Sequence, residues 1–190
     1  MANCERVFHT VAGLTNINGK LYGTTSGGGT SGNGTVFKIT KSGSETVLYT
    51  FAGAPDGAAP LASLTNVGGT LYGTTVQGGS GNWGTVFKIT LSGKEAVLYS
   101  FKSGADGSNP KAALSNMHGT LYGVTDGGGA SDFGTIFAIL KFHRETVLYA
   151  FGGGDGAEPD AALINVDGTL YGTTRSGGAS GYGTVFLLSF

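Results

Sequence analysis

One pentapeptide returns four times along the chain: LYGTT at Leu21, LYGTT at Leu71, LYGVT at Leu121 and LYGTT at Leu170, at spacings of 50, 50 and 49 residues. Self-similarity at such a period means that one supersecondary unit is copied, and that no unit buries its apolar face alone. Aligned on these anchors, the chain divides into repeats 12–61, 62–111, 112–160 and a shorter 161–190, read together as one domain over 1–190.

Each complete repeat holds four candidate strands. In the second repeat they are Ala62–Val67, Thr70–Thr75 (TLYGTT), Thr85–Thr90 (TVFKIT) and Glu95–Phe101 (EAVLYSF). Val, Ile, Thr, Tyr and Phe dominate these runs, and Gly, Ser, Asn and Asp clusters bound them, as expected of strands. No 3.6-residue apolar period of helical length competes. Runs such as VLYTF and TVFKI are apolar at nearly every position, which suits sheets covered on both faces better than a sandwich with one wet face. The expectation is an all-β small β-propeller with four blades of four antiparallel strands.

The ends bear on closure. Residues 1–11, MANCERVFHTV, align without a gap to KSGSETVLYTF at 41–51, and the last repeat stops where its own fourth strand would begin. The N-terminal segment is therefore read as the strand that completes the last blade, which removes exposed edges. The connection corresponding to Ala52–Leu61 is missing between Val11 and Ala12. An outermost strand must cross roughly 15 Å to reach the next innermost one. A second arrangement, two chains sharing an eight-bladed ring, stays open, so the chain is expected to be a monomer or a homodimer.

Because consecutive strands are antiparallel, connections alternate between two ends. The Gly-rich loops (26–34, 76–84, 126–134, 175–183) and the inter-repeat connections (52–61, 102–111, 152–160) share one face, and short turns occupy the other. Rigid scaffolds carry binding residues on loops, so the long-loop face is where a ligand is expected.

Four kinds of residue stand out. One loop position is occupied by Asn33, Trp83, Phe133 and Tyr182, whose rings either plug their own blades or offer stacking platforms for sugars. Asp56, Asp106 and Asp155 precede glycine, with Pro60, Pro110 and Pro159 four residues on; they read as turn caps and as candidate ligand contacts. Residues that break the repeat include Lys111, Asp126, Asp160 and Arg175, from which an acid–base site can be assembled, with Lys102, Asp132 and Glu158 nearby in sequence. Glu5, Glu45, Glu95 and Glu145 each open a fourth strand, expected to make a repeated hydrogen bond or to pair with Lys38 and Lys88.

Several classes are disfavoured. Charged residues are 12% and the formal net charge is −1, so no basic stripe invites nucleic acid. His9, His118 and His143 lack metal-ligand spacing, and one acid per connection is too few for calcium. The Gly-rich loops lack the lysine and following helix of a phosphate-binding loop. The single cysteine, Cys4, forms no internal disulfide. No apolar run of membrane-spanning length or leader appears, so a soluble chain without membrane contact is expected.

Laid out this way, LYGTTxxGGxxGxGTVFKIT…ETVLYxFxGxxDGxxP resembles the GloVer tandem repeat, of the Gloeo-Verruco type, from Ala12 to Phe190. The resemblance implies relatives that are long bacterial chains with export and surface-anchoring signals, hence a secreted or cell-surface setting. It carries no catalytic residues across. The favoured reading is a non-catalytic module that binds a glycan or small-molecule ligand on the long-loop face, without cofactor or metal. An enzyme using Lys111, Asp126, Asp160 and Arg175 is the alternative, and a structural assembly module is a third.

Overall fold

In the computed structural model, which describes residues 12–140 and 144–190, every repeat is an antiparallel sheet. The first blade runs β1 (Thr15–Ile17), β2 (Lys20–Thr25), β3 (Thr35–Ile39) and β4 (Glu45–Thr50) in spatial order. A short strand, β5 (Gly57–Ala58), follows in the connection. The second blade comprises β6 (Thr65–Val67), β7 (Thr70–Thr75), β9 (Thr85–Thr90) and β10 (Glu95–Ser100), with β8 (Gln77–Gly78) in its loop. The third holds β11 (Ser115–Met117), β12 (Thr120–Thr125), β13 (Thr135–Ile139) and β14 (Glu145–Ala150). The fourth has three strands among the described residues, β15 (Ile164–Val166), β16 (Thr169–Thr173) and β17 (Val185–Leu188). The proposed closing strand, with Cys4, Glu5 and His9, lies outside the described residues, as does His143.

The architecture is all-β and propeller-like. Consecutive first strands touch one another in the order β1, β6, β11, β15. Among the described residues no helix is long and apolar enough to cross a membrane.

Three apolar clusters lie between consecutive blades, and each mixes the same positions. Ile17, Tyr22, Val36 and Phe51 of the first blade and its connection pack on Leu64, Leu71, Phe87 and Ile89 of the second. Val86 and Phe101 meet Leu114, Leu121, Phe137 and Ile139 in the same way, and Ile136 and Phe151 meet Leu163 and Leu170. Each connection phenylalanine stands edge-on to a ring of the next blade: Phe51–Phe87, Phe101–Phe137 and Phe151–Phe186, all with centroids 5.1 Å apart. Burying such a ring contributes about 1.5–3 kcal/mol, so each junction is a small core of its own.

The glycine of LYGTT follows from this packing. A Cβ at Gly73 would come within 2.6 Å of Phe87 Cζ and 3.0 Å of Leu64 Cδ2, and Gly23, Gly123 and Gly172 meet the equivalent atoms. Only a hydrogen side chain leaves room for the tip of the ring.

The first strand of each blade is shorter than the sequence suggests. Ala62 and Leu64 lie outside β6 because their carbonyls accept bonds from the preceding blade, Thr24 Oγ1 at 3.1 Å and Thr15 Oγ1 at 2.5 Å. Thr74 and Thr65 repeat the pair with Ala112 and Leu114 at 3.1 and 2.5 Å, and the Ser115 hydroxyl donates to the Leu163 carbonyl. The two outward-facing sheets lack such neighbours. Leu14 is 49% exposed where Leu64, Leu114 and Leu163 are 4%, and Val185 is 80% exposed where Val36 and Val86 are fully buried.

Candidate functional site

The paired threonines of LYGTT and GTV fix the base of every long loop. Thr75 and Thr85 hydroxyls lie 2.7 Å apart, Thr85 donates its backbone N–H to Thr75 Oγ1 at 3.2 Å, and Thr75 donates to the Gln77 carbonyl at 2.8 Å. The pairs Thr25–Thr35, Thr125–Thr135 and Thr174–Thr184 do the same at 2.9, 2.8 and 2.9 Å. The loops above them are thereby set at a fixed height.

The connections interleave with these loops, so both long segments share one face. β5 pairs with β8, joining the first connection to the second blade's loop. One residue of each connection bridges two loops: Asn109 donates its N–H to the Trp83 carbonyl at 2.8 Å and accepts from Asp126 N–H at 3.3 Å. Ala59 and Glu158 occupy the same place in their junctions. All three have positive φ, 54°, 55° and 56° for Ala59, Asn109 and Glu158, a conformation that favours asparagine over alanine or glutamate. Asn109 also uses its side chain, donating Nδ2 to the Val76 carbonyl at 3.0 Å.

The loop rings do not plug the blades. Trp83 is 43%, Phe133 39% and Tyr182 92% exposed. Asn33 and Phe133 each lie over a glycine of the following connection, where a Cβ at Gly53 or Gly153 would approach within 2.9 Å. The second junction has Ser103 instead, held at φ 64°, and the Trp83 ring rests by Gly81.

There a groove of about 310 Å³ opens, lined by Trp83, Ser103, Ser108, Asn109, Asp126, Asp132 and Glu158 with Gly127. Asp132 caps its own loop, accepting Gly128 N–H at 2.7 Å. Asp126 holds Lys111 Nζ at 2.7 Å through Oδ2, and its Oδ1 is buried without a partner. Across the groove Arg175 binds Glu158 at 2.5 Å, and this guanidinium lowers the Glu158 carboxyl below the usual range. The bond to Glu158 in turn raises the Arg175 pKa, with smaller contributions from Asp126 and Asp160. The structure thus gathers Trp83, Lys111, Asp126, Asp160 and Arg175 at neighbouring junctions, with each cation spoken for by a carboxylate. Residue type alone does not single out Ser103 or Asn109; a serine in the place of Gly53 and Gly153 is the departure that marks the groove.

The Asp-Gly carboxylates are committed elsewhere. Asp56 accepts Tyr49 hydroxyl at 2.9 Å and Ala52 N–H at 2.8 Å, and Asp106 accepts Tyr99 hydroxyl at 2.7 Å and Lys102 N–H at 3.0 Å. Asp155 takes the Tyr149 hydroxyl and Gly152 N–H, and the Tyr149 bond holds its pKa down. Glu95 and Glu145 meet these pairs from the next blade and do not bridge to Lys38 or Lys88. Burial first, then the charge of Asp56 or Asp106, pushes both glutamates up to about 7. Glu95 Oε1 and Glu145 Oε1 are buried without partners. Among the described residues no group of His, Cys, Asp and Glu is placed to hold a metal.

A family model described as the Gloeobacter/Verrucomicrobia repeat matches residues 2–189. Comparison with curated proteins finds no match. Among solved structures, "Bacteroides ovatus Xyloglucan PUL GH43B" is similar with 14% identity and a TM-score of 0.52, over 95% of this chain and 38% of that one. An alpha-L-arabinofuranosidase from Clostridium thermocellum, CtGH43, is similar with 16% identity and a TM-score of 0.51, over 97% of this chain and 69% of that one. At these identities the likeness is one of fold. The chain spans well under half the length of the first of these structures.

Proposed function

Since the chain belongs to the family of the Gloeobacter/Verrucomicrobia repeat, a propeller-like array of near-identical units, we propose that it is a carbohydrate-binding module that does no chemistry. Its ligand lies in the groove beside Trp83. The carrying observation is the groove itself: an indole 43% exposed, next to Ser103, Asn109 and the carboxylates of Asp126 and Asp132. Sugars present apolar C–H faces that stack on aromatic rings and hydroxyls that bond to carboxylates and amides, and this lining offers both. The likeness in fold to two proteins whose names refer to xyloglucan and to an arabinofuranosidase agrees with this ligand class. Phe133 and Tyr182 sit at the matching places in the third and fourth blades, so further weak sites would add avidity.

Trp83 is the single tryptophan of the chain, so its fluorescence reports on this groove alone. Titration with xyloglucan and arabinan oligosaccharides is expected to change that emission saturably, and Trp83→Phe with Asp126→Asn to weaken retention on the matching polysaccharide at least tenfold. Unchanged emission with both series, together with no retention on a glycan array, sinks the reading.

A catalytic reading draws on Asp126, a groove residue whose Oδ1 is buried without a partner while Oδ2 is held by Lys111. Release of reducing sugar, abolished in Asp126→Asn while binding persists, would move the assignment from binding module to hydrolase.

A further inference from the structure

The groove beside Trp83 carries more negative charge than its fold needs. Three carboxylates line it, Asp126, Asp132 and Glu158, and among the described residues no lysine or arginine does. Lys111 holds Asp126 and Arg175 holds Glu158. Among the described residues Asp132 pairs with no cation; it accepts the backbone N–H of Gly128. One negative charge is therefore left over beside an indole that is 43% exposed.

The other units show that the backbone does not require these charges. Asn82 stands one unit before Asp132, and its Oδ1 accepts Gly78 N–H at 2.8 Å, as Asp132 accepts Gly128 N–H at 2.7 Å. Asn109 stands one unit before Glu158, and the two donate their N–H groups to the carbonyls of Trp83 and Phe133 at 2.8 and 2.9 Å. Val76 fills the place of Asp126. One unit later, Arg175 and Gly181 replace Asp126 and Asp132. Neutral residues thus make the same backbone bonds, and the carboxylates gather at one groove.

We infer that the groove selects a cationic sugar, a glucosamine-type unit whose ring lies on Trp83 and whose ammonium group sits by Asp132, an assignment that rests on carbohydrate binding at Trp83 and adds the ligand's charge to it. An ammonium between an indole face and a carboxylate gains from both, since the ring quadrupole and the anion attract it together. Asp126 and Glu158, each already held by a cation, are left to accept sugar hydroxyls. A uronic acid would instead meet the unpaired Asp132 as a like charge and is rejected.

The test compares a glucosamine tetramer with its neutral N-acetylated counterpart by Trp83 emission at about pH 6, where the amine is protonated. The native protein is expected to bind the charged tetramer about tenfold more tightly at about 10 mM salt, and the preference should collapse at about 1 M, where charges beyond about 3 Å are screened. Asp132→Asn keeps the loop cap that Asn82 makes in the second blade and should bring the ratio of the two affinities close to one. Equal affinities in the native protein, or a preference that neither salt nor Asp132→Asn reduces, overturn the inference and leave carbohydrate binding standing. A tetralysine peptide bound as tightly as the glucosamine tetramer shows capture of charge without a sugar site and overturns it as well. Binding of no sugar, charged or neutral, removes carbohydrate binding and the inference together.

Discussion

Thr75 and Thr85, ten residues apart in sequence, place their hydroxyls 2.7 Å from each other in fully buried positions beneath the loop that carries Trp83. Neither has bulk water to fall back on. Thr75→Val keeps the shape, removes the acceptor for Thr85 N–H and strands the Gln77 carbonyl. A loss of about 3 kcal/mol is expected from two buried groups left unpaired, read as a lower urea midpoint. Thr75→Ser, which keeps the hydroxyl, should recover most of it. A loss confined to Thr75→Ser, with Thr75→Val unchanged, would mean that the methyl, not the hydrogen bonds, matters.

The strand glycine is the next sensitive position. Gly73→Ala pushes a methyl into Phe87 and Leu64, both buried, and neither can retreat without opening the junction with the first blade. The expected loss is about 1–3 kcal/mol, the usual range for overpacking. Gly68→Ala, in a turn where a Cβ meets nothing within 4 Å but φ is 58°, should cost less, about 1 kcal/mol of backbone strain. Thermal melts of the two variants side by side decide whether contact or conformation dominates.

The junction glutamates make stability depend on pH. Glu95 stands at about 7 in the folded chain, above the ordinary carboxyl value of about 4.3, so the fold holds the proton more tightly than the unfolded chain does. Its contribution is complete below pH ~4 and is lost as pH rises through about 7. The site is only half-buried, which reduces the loss to on the order of 1 kcal/mol. Glu95→Gln, permanently neutral, should therefore gain on the native protein as pH is raised from 5 to 8. Parallel denaturation curves across that range, with no crossing between variant and native chain, would show that the carboxyl does not titrate differently in the two states.

Asn109 is expected to position Trp83. Its N–H holds the Trp83 carbonyl and its amide holds Val76, both from a left-handed conformation that asparagine tolerates better than most residues. Asn109→Ala should cost about 1 kcal/mol of stability and raise the mobility of the indole, measured as a drop in Trp83 fluorescence anisotropy. An unchanged anisotropy would assign the loop's order to the threonine pair alone.

The period, the strand order and the shared face of the two long segments were legible from LYGTT, GTV and the Asp-Gly connections, because local pattern alone decides them. The shortened first strand was not. Ala62 and Leu64 look like strand residues, and only the threonines of the preceding repeat, 38 and 49 residues away, show where their carbonyls go. The partners of Glu95 were hidden for the same reason, since Tyr49 and Asp56 belong to another repeat. Of the candidate site, Trp83 and the charges that break the repeat could be picked out by alignment of the units. The groove between them depends on Ser103 standing at a positive φ where its counterparts are glycine, which residue type by itself does not announce.

Thr15 and Thr65 reach a carbonyl 49 residues ahead, and Ser115 one 48 ahead, so the same bond recurs at each step of the chain. Length in this protein is consequently quantised. Duplicating or excising one whole period leaves every such reach intact and alters only how many junctions there are, whereas a change of a few residues within a period breaks one of them. Lineages of such chains can grow or shrink by whole units while each groove evolves on its own.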